Sequence, residues 1–158
     1  SLLQVNQASQ NAIIDWRNFS IGAGEAAKFS VPSGGSTLNR VTGADPSAIY
    51  GTLSSNGRLF LVNPNGIVVG PNGIIDTAGL ILSTHSVKDA EYLAGGAMTF
   101  SGASNASVVN NGAIRSTGGG DVFLIARQVE NIRRLQMIGA GHADHRRDHI
   151  GVLIGHAQ

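Results

Sequence analysis

Residues 56–76 read Asn-Gly-Arg-Leu-Phe-Leu-Val-Asn-Pro-Asn-Gly-Ile-Val-Val-Gly-Pro-Asn-Gly-Ile-Ile-Asp, in which turn residues alternate with short apolar runs. Three Asn-Gly pairs, at Asn56, Asn65 and Asn72, each precede a short run containing Leu, Ile or Val, and a fourth pair at Asn111 does the same. Asn and Gly both tolerate positive φ, so each pair predicts a sharp change of chain direction. The apolar runs are too short for helices and are typical of β-strands.

Two arrangements of these strands fit the Asn-Gly pairs. Asn-Gly is the strongest short signal for a β-hairpin, in which consecutive strands are antiparallel. The segments that follow the four pairs are instead similar to one another, like degenerate copies of one unit, at spacings of 9, 7 and 39 residues. Stacked coils with turns at fixed corners would produce such copies and bury one continuous core. We therefore expect a β-solenoid over residues 56–130, with these side chains buried: Leu59, Leu61, Ile67, Val69, Ile74, Leu80, Ile114 and Phe123.

Similar apolar or β-branched runs continue on both sides of this stretch. The composition agrees with them, because 22 residues are Gly and only 13% are charged, which favours strands and turns over helices. A chain of 158 residues has room for one domain with a real core. We expect an all-β domain whose strands are Ala12–Ile14, Lys28–Val31, Leu38–Val41, Ile49–Leu53, Leu59–Val62, Ile67–Val69, Ile74–Asp76, Leu80–Leu82, Met98–Phe100, Val108–Asn110 and Val122–Ala126.

One segment interrupts the β pattern. Ser86–Leu93 has helix-forming residues, with Ser86 placed to cap the N-terminus and Asp89 at the third helical position. Gly95 and the glycine after it follow as a stop signal. We expect one or two helical turns here, on the side of the coil.

Charge and cysteine content exclude several classes of function. The net charge is +1, so no general attraction to nucleic acid or to anionic lipid is expected. The chain has no cysteine, which rules out disulfides and thiol chemistry. No apolar stretch approaches the roughly 20 residues that span a bilayer, so no membrane insertion is expected. The first residues lack the basic segment of an export signal, which we expect to have been removed or to lie upstream.

Several segments together resemble the haemagglutination-activity domain of two-partner secretion exoproteins, the family of filamentous haemagglutinin and the high-molecular-weight adhesins. The resemblance runs in consistent order from Gln4 to Glu130. The segments that carry it are Asn11–Ile21, Leu38–Ser47 and Gly51–Ile67, with further support from Ile81–Thr84, Phe100–Gly102 and Val109–Ile114.

This resemblance implies a right-handed parallel β-helix capped at its N-terminus, acting as the N-terminal secretion domain of a large adhesin or other exoprotein. It implies export by a cleaved signal into the periplasm of a Gram-negative bacterium, and recognition there by the periplasmic domains of a dedicated outer-membrane transporter. The domain would nucleate folding of the β-helix behind it, do no chemistry and need no cofactor. The full-length protein would be secreted or displayed on the cell surface, where a host-cell or matrix receptor is a further expected partner.

Asn63, Pro64, Asn65, Gly66 and Ile67 match one of the family's Asn-Pro-Asn motifs, which the resemblance associates with secretion. The residues themselves predict a turn, because Pro64 fixes φ and holds the preceding residue extended, while the following Asn-Gly pair supplies a tight corner. Two roles stay open for the motif. It either sets the geometry of a corner, which we favour, or contacts the transporter directly.

The resemblance ends after Glu130, and the composition changes at the same place. Residues 131–158 hold four Arg, two Asp and four of the five His of the chain. We therefore expect a β-helix domain over residues 1–130 and a divergent basic, His-rich segment over residues 131–158. Within that segment His142, His145 and His149 have a spacing that could place them on one helix face for zinc or nickel. No cysteine accompanies them and the segment is polar, so we expect solvated side chains and no metal site.

A carbohydrate-active β-helix enzyme or carbohydrate-binding module is the alternative function. Its chemistry would need two or three acidic groups, or an acidic group and an Arg, that converge on one face. The candidates Asp15, Asp45, Asp76 and Asp121 are widely spread along the sequence and lie beside turns or at strand ends, where Asp commonly bonds local backbone. We therefore expect no catalytic residues.

Trp16 and Phe19, with Arg17 between them, could form a stacking platform for a sugar or a nucleotide. Bulky apolar residues are also what closes one end of a solenoid. We expect them to pack in the core or in its cap.

Overall fold

The computed structural model describes residues 1–118, 120–132, 136–138 and 150–154, the last two ranges as backbone strands. Within these ranges the chain is almost entirely β-structure with a single short helix. The elements are β1 (Leu2–Asn6), β2 (Asn11–Trp16), β3 (Ala26–Ser30), β4 (Ser36–Val41), β5 (Ser47–Ile49), β6 (Thr52–Ser55), β7 (Arg58–Val62), β8 (Ile67–Val69), β9 (Ile74–Thr77), β10 (Gly79–Ser83), α1 (Asp89–Ala94), β11 (Ser107–Asn110), β12 (Ala113–Thr117), β13 (Val122–Ala126), β14 (Gln128–Asn131), β15 (Gln136–Ile138) and β16 (Ile150–Ile154).

The strands form three parallel sheets, and the chain visits them in turn. The first sheet has the order β1-β3-β6-β9-β12-β15, the second β2-β4-β7-β10-β13-β16, and the third β5-β8-β11-β14. All pairings between these strands are parallel, as in β6 with β9 and β7 with β10. Consecutive strands therefore lie in different sheets and stack on the strands one coil away. This is the predicted parallel β-helix, and the hairpin arrangement does not occur among these strands.

Each full circuit of the three sheets is one coil. Coil 1 contains β1 and β2 and ends at Ile21, which bridges to Ile49 of the next coil. Coil 2 contains β3–β5, coil 3 β6–β8, coil 4 β9–β11 and coil 5 β12–β14. Residues 84–106, which we call the strap, leave coil 4 after β10 and return to it at β11; they include α1.

The interior of the coil is one apolar column. Six of the eight side chains that we predicted to be buried are at most 2% exposed: Leu59, Leu61, Ile67, Val69, Leu80 and Ile114. Ile74 and Phe123 are only partly buried, so that part of the prediction was wrong. Side chains alternate along a strand, and in β9 and β13 it is Ile75 and Leu124 that point inward and are fully buried.

The second sheet is buried on both faces. Leu59 and Leu61 of β7 face the interior, whereas Phe60 and Val62 of the same strand belong to a second apolar cluster on the outer face. The strap covers that outer face with Val87 and Tyr92, which are members of the same cluster. This explains why β7 reads as a continuous apolar run instead of an alternating one.

The Asn-Gly pairs lie at corners, as predicted, but positive φ is not the general reason for their glycines. Among the four pairs only Gly66 has a positive φ, of 115°. A Cβ on Gly57 would lie 2.5 Å from the Gly35 carbonyl oxygen, and one on Gly73 would lie 2.3 Å from the Ile49 carbonyl oxygen. These glycines are needed because the backbone of the preceding coil lies too close for any side chain.

Two strand predictions differ from the structure. The predicted run Ile49–Leu53 is divided between β5 and β6, because Tyr50 and Gly51 form the corner between the third and first sheets. Met98–Phe100 is not a strand. Its residues Met98 and Phe100 instead pack on the outer apolar cluster of the second sheet, so their hydrophobicity reflects packing of the strap.

The predicted helix is present as α1, but its N-terminus differs from the prediction. The N-cap is Lys88, and no side chain caps the helix. Ser86 instead pairs with Ser101 in an antiparallel bridge at the base of the strap. Gly95 ends the helix in the left-handed conformation with a φ of 77°, as its position in the sequence predicted.

The strand ladder continues past residue 130. β15 pairs with β12 of the first sheet, and β16 pairs with β13 of the second sheet. The division of the chain at residues 130 and 131 stays a prediction. His142, His145 and His149 lie outside the described residues.

The corner glycines give a first testable prediction. Gly73→Ala places a methyl group against the Ile49 carbonyl oxygen and the Val69 side chain, so the coils must move apart. We expect a loss of about 1–3 kcal/mol in the free energy of unfolding, as for overpacking in a core. Urea denaturation followed by circular dichroism measures this loss. Gly96→Ala is the matched control, because nothing lies within 4 Å of its Cβ position, and a similar loss there would contradict the explanation.

Candidate functional site

The residues that we predicted as the functional motif form the corner between β7 and β8 in coil 3, which we call the Asn-Pro corner (residues 63–67). Asn63 is completely buried, and Pro64 is exposed. Asn65 is partly buried, Gly66 is buried, and Ile67 enters the interior core. The structure therefore brings all five residues together, with Pro64 alone fully on the surface.

The buried side-chain amide of Asn63 makes four hydrogen bonds within the coil. Its Nδ2 donates to the Asp45 carbonyl oxygen at 3.0 Å and to Ser47 Oγ at 2.9 Å. Its Oδ1 accepts from the backbone N–H and from Nδ2 of Asn65, both at 2.9 Å. A buried amide costs little when it is satisfied in this way, and its bonds join the corner of coil 3 to the corner of coil 2.

Asn65 and Gly66 complete the connection between the two corners. Asn65 Nδ2 donates to the Gly43 carbonyl oxygen of coil 2 at 2.8 Å. Gly66 N–H donates to the Asn63 carbonyl oxygen at 3.1 Å, and the Gly66 carbonyl oxygen accepts from Ser47 N–H at 3.0 Å. Gly66 has a positive φ, which any residue with a side chain adopts only with backbone strain.

The outer side of the corner contacts the strap. Ser104 Oγ donates to the Pro64 carbonyl oxygen at 2.6 Å. A pocket of about 250 Å³ opens beside it, lined by residues of coils 1–3 and of the strap, among them Asp15, Arg40, Val62 and Pro64. Asp15 and Arg40 form an ion pair at 3.0 Å on its rim.

The chemistry of the corner is that of hydrogen bonding between amides, hydroxyls and backbone. None of its five residues is ionisable, so the corner supplies no acid, base or nucleophile. Sequence reasoning found the two asparagines but missed their partners Gly43, Asp45 and Ser47. A signal was available, because residues 43–47 (Gly-Ala-Asp-Pro-Ser) carry an Asp-Pro turn one coil before the Asn-Gly turn.

The four candidate acidic residues lie on different parts of the coil. Asp15 is on the outer face of the second sheet, and Asp76 is on the first sheet. Asp45 is in the corner after β4, and Asp121 is in the corner before β13. The structure therefore does not bring these carboxyl groups to one face.

Trp16 and Phe19 pack at the N-terminal end of the coil. Their rings meet edge to face with centroids 5.4 Å apart, and Phe19 is only 5% exposed. Trp16 Nε1 donates to Asn39 Oδ1 at 2.9 Å, which orients the indole toward the core. The prediction that these rings pack in the core or its cap is confirmed.

Among the described residues, no group of three or more His, Cys, Asp or Glu side chains is arranged to hold a metal ion. No described helix is long and apolar enough to cross a membrane.

The three parallel sheets and the Asn-Pro corner define a parallel β-helix domain without an ionisable group at its candidate site. A known family model also matches the chain. The model of the TPS secretion domain, where TPS stands for two-partner secretion, matches residues 2–148. The chain belongs to this family and is the secretion domain of a large exoprotein, as the sequence resemblance implied.

A solved structure agrees with this assignment. The HMW1 secretion domain from Haemophilus influenzae has a TM-score of 0.77 and 32% sequence identity with this chain. The match covers 90% of this chain and 37% of that one. At this identity the likeness supports both the parallel β-helix and the family.

Two similar curated proteins are both named heme/hemopexin-binding protein and both come from Haemophilus influenzae. One is 29% identical over 150 aligned residues, which cover 77% of this chain and 17% of the relative. The other is 38% identical over 92 residues, which cover 58% of this chain and 10% of the relative. The chain thus spans less than a fifth of the length of either relative.

The bonds of Asn63 give a second prediction. Asn63→Ala leaves Ser47 Oγ, the Asp45 carbonyl oxygen and the Asn65 N–H without their buried partner. We expect it to lower the free energy of unfolding by about 2–3 kcal/mol, since unsatisfied buried polar groups are expensive. Asn65→Ala should cost about 1 kcal/mol, because its amide is partly hydrated already.

Urea unfolding measures both effects. Asn72→Ala is the control, because Asn72 also belongs to an Asn-Gly pair but is exposed. Equal losses for Asn63→Ala and Asn72→Ala would show that the buried bonds do not hold the corner.

Proposed function

We propose that this chain is recognised in the periplasm of a Gram-negative bacterium by the periplasmic domains of its cognate outer-membrane transporter. The observation that carries the proposal is the match of the TPS secretion-domain model to residues 2–148. That family implies a secreted exoprotein and a transporter partner. We further propose that the exoprotein is displayed on the cell surface and that the β-helix behind this domain folds onto its coil.

The Asn-Pro corner has a folding role in this proposal. Asn63 and Asn65 use their amide groups in hydrogen bonds to Asp45, Ser47, Gly43 and each other. Few of their donors and acceptors are left for a partner protein. The corner instead holds coil 2 against coil 3, and the transporter depends on that geometry. The motif matters for export because the coil does not form properly without it.

We also propose that the domain acts without catalysis. The spread of Asp15, Asp45, Asp76 and Asp121 over separate sheets and corners supports this, because glycoside or polysaccharide cleavage needs carboxyl groups a few ångströms apart. A carbohydrate-active enzyme or binding module is accordingly not favoured. The function proposed for the chain is recognition and folding.

The two relatives are much longer than this chain. The names of the two relatives refer to heme and hemopexin, and this chain spans only 17% and 10% of those proteins. A host-cell or matrix receptor of the full-length protein stays a prediction. For the chain itself we propose a secretion domain over residues 1–130 followed by a divergent segment over residues 131–158.

Export provides the third prediction. Asn63→Ala and Asn65→Ala, each produced with the transporter, should reduce the amount of secreted protein in the order of their loss of stability. The reason is that both act through the coil and neither removes a contact with the transporter. Secreted protein is measured by quantitative immunoblotting, and stability by the melting temperature of the purified variants.

Binding of the purified variants to the transporter's soluble periplasmic domains separates the two roles of the corner. A variant Asn63→Ala that keeps the wild-type melting temperature but no longer binds would assign the side chain to recognition. If wild-type protein neither binds nor is exported, the proposed function itself fails.

The fourth prediction concerns metals and catalysis. Zinc or nickel should leave the melting temperature of the chain unchanged, because a site that binds metal only in the folded state must raise it. Incubation with polysaccharides should yield no cleavage products by reducing-sugar assay. A rise of several degrees with zinc that disappears in a His142→Ala, His145→Ala double variant would contradict the expectation for residues 131–158.

A further inference from the structure

The strap is held to the outer face of the second sheet chiefly by Tyr92. Its ring meets Phe60 edge to face with centroids 5.1 Å apart, and only 2% of the residue is exposed. Its hydroxyl lies 2.6 Å from Ser36 Oγ in coil 2 and donates to the Ala12 carbonyl oxygen in coil 1 at 3.3 Å. Burial raises the pKa of Tyr92, so the hydroxyl stays protonated as these bonds require.

Contacts at the edges of the strap support the same position. Arg40 forms ion pairs with Asp15 of coil 1 and with Asp89 of α1, and so ties the strap to two coils. Phe100 stacks on Phe60 with centroids 6.5 Å apart. Where the strap returns to the coil, its Ser104 hydroxyl bonds to the carbonyl oxygen of Pro64. All of these partners belong to coils 1–3, although the strap itself departs from coil 4.

The strap is also closed at its base as an independent loop. Ser86 and Ser101 exchange two backbone hydrogen bonds, of 3.0 and 2.9 Å. Thr99 N–H donates to the Glu91 carboxylate at 2.8 Å, which joins the end of the strap to α1. These bonds connect the two ends of the strap and α1, so they link its residues into one unit.

The closed position has a cost at the root of the strap. Thr84 and His85 are 2% and 5% exposed, and Thr84 Oγ1 and His85 Nε2 have no hydrogen-bond partner within the described residues. An unsatisfied buried polar atom favours any state in which water reaches it. Opening of the strap would hydrate both atoms. The free energy gained in this way would offset part of the cost of exposing apolar surface.

We propose that residues 84–106 open and close as one unit, and that closure locks coils 1–3 together. In the open state Leu38, Phe60 and Val62 lose their cover, and the Arg40 and Ser36 contacts between strap and sheet are broken. The N-terminal coils are then held by their ladder of strands, by the interior core and by the bonds of the Asn-Pro corner. Because residues 84–106 follow coils 1–3 in the chain, a chain synthesised only as far as coil 3 lacks the strap and has the outer face of these coils uncovered.

Hydrogen–deuterium exchange of the whole chain tests the proposal directly. The amides of Ser86, Tyr92 and Ser101 all donate bonds within the strap, whereas those of Leu61 and Leu82 lie in the strands of the second sheet. A helix of six residues and a single bridge are not stable in water without the sheet, so opening of the strap lets all three strap amides exchange with one common opening constant, larger than that of the strand amides. Three unrelated opening constants, or opening only together with the strands, would overturn the proposal.

Two substitutions should move this equilibrium in opposite directions. Tyr92→Phe removes the hydroxyl from Ser36 and Ala12 but keeps the ring on Phe60, so the strap amides should exchange about fivefold to tenfold faster. Thr84→Val removes an unpartnered hydroxyl from a buried site, so the same amides should exchange severalfold more slowly. Amides of β12 and β13 should not change in either variant.

Leu93→Ala is the matched control, because Leu93 lies next to Tyr92 in α1 but is 52% exposed. It should leave strap exchange within twofold of wild type. Equal acceleration of all strands in Tyr92→Phe would show that the strap is not a separate unit. No acceleration in that variant would show that Tyr92 does not hold it closed.

Discussion

At the corner between the third and first sheets the coils stack so closely that Gly51, Gly73 and Gly112 have no room for a side chain. There Thr52 N–H bonds to the Glu25 carbonyl oxygen, Ile74 N–H to that of Gly51, and Ala113 N–H to that of Gly73, in one continuous ladder. Parallel strands about 4.8 Å apart leave no room for a Cβ that points at the backbone of the preceding coil. Glycine at these positions lets the three sheets remain in register, and the register brings the interior apolar side chains into one column.

Much of the fold follows from features that a sequence shows locally. The Asn-Gly pairs mark true corners, and the apolar runs after them are true strands, because both depend on short-range properties of the chain. The predictions that fail are those that depend on how a segment packs against the rest of the coil. The inward residue of β9 is Ile75 and not Ile74, since the corner before it sets the phase of alternation. Met98 and Phe100 are apolar because they pack on a sheet, which no local pattern distinguishes from a strand.

The candidate functional site likewise has local features that the sequence predicts and non-local ones that it does not. Asn63–Ile67 can be identified as a turn from its own residues, and the family resemblance singles it out. Its bonding cannot be deduced from the sequence, because Asp45 and Ser47 lie about one coil earlier and their alignment with Asn63 depends on the register of β5 with β8. The complete burial of Asn63, an amide in a position that would suit a hydrophobic residue, is a consequence of those two partners.

The contact between Tyr92 and Ala12 limits how this domain can vary. In an ordinary solenoid each repeat touches only its neighbours, so evolution can duplicate or delete repeats without harming the others. Here a side chain on a loop from coil 4 reaches the backbone of coil 1, which is 80 residues earlier in the chain. One extra coil between them would move Ala12 by a full strand spacing, beyond the reach of the Tyr92 hydroxyl. The reach of the Tyr92 hydroxyl therefore limits the number of coils that can lie between Ala12 and the loop, whereas this contact sets no limit on coils that follow the loop.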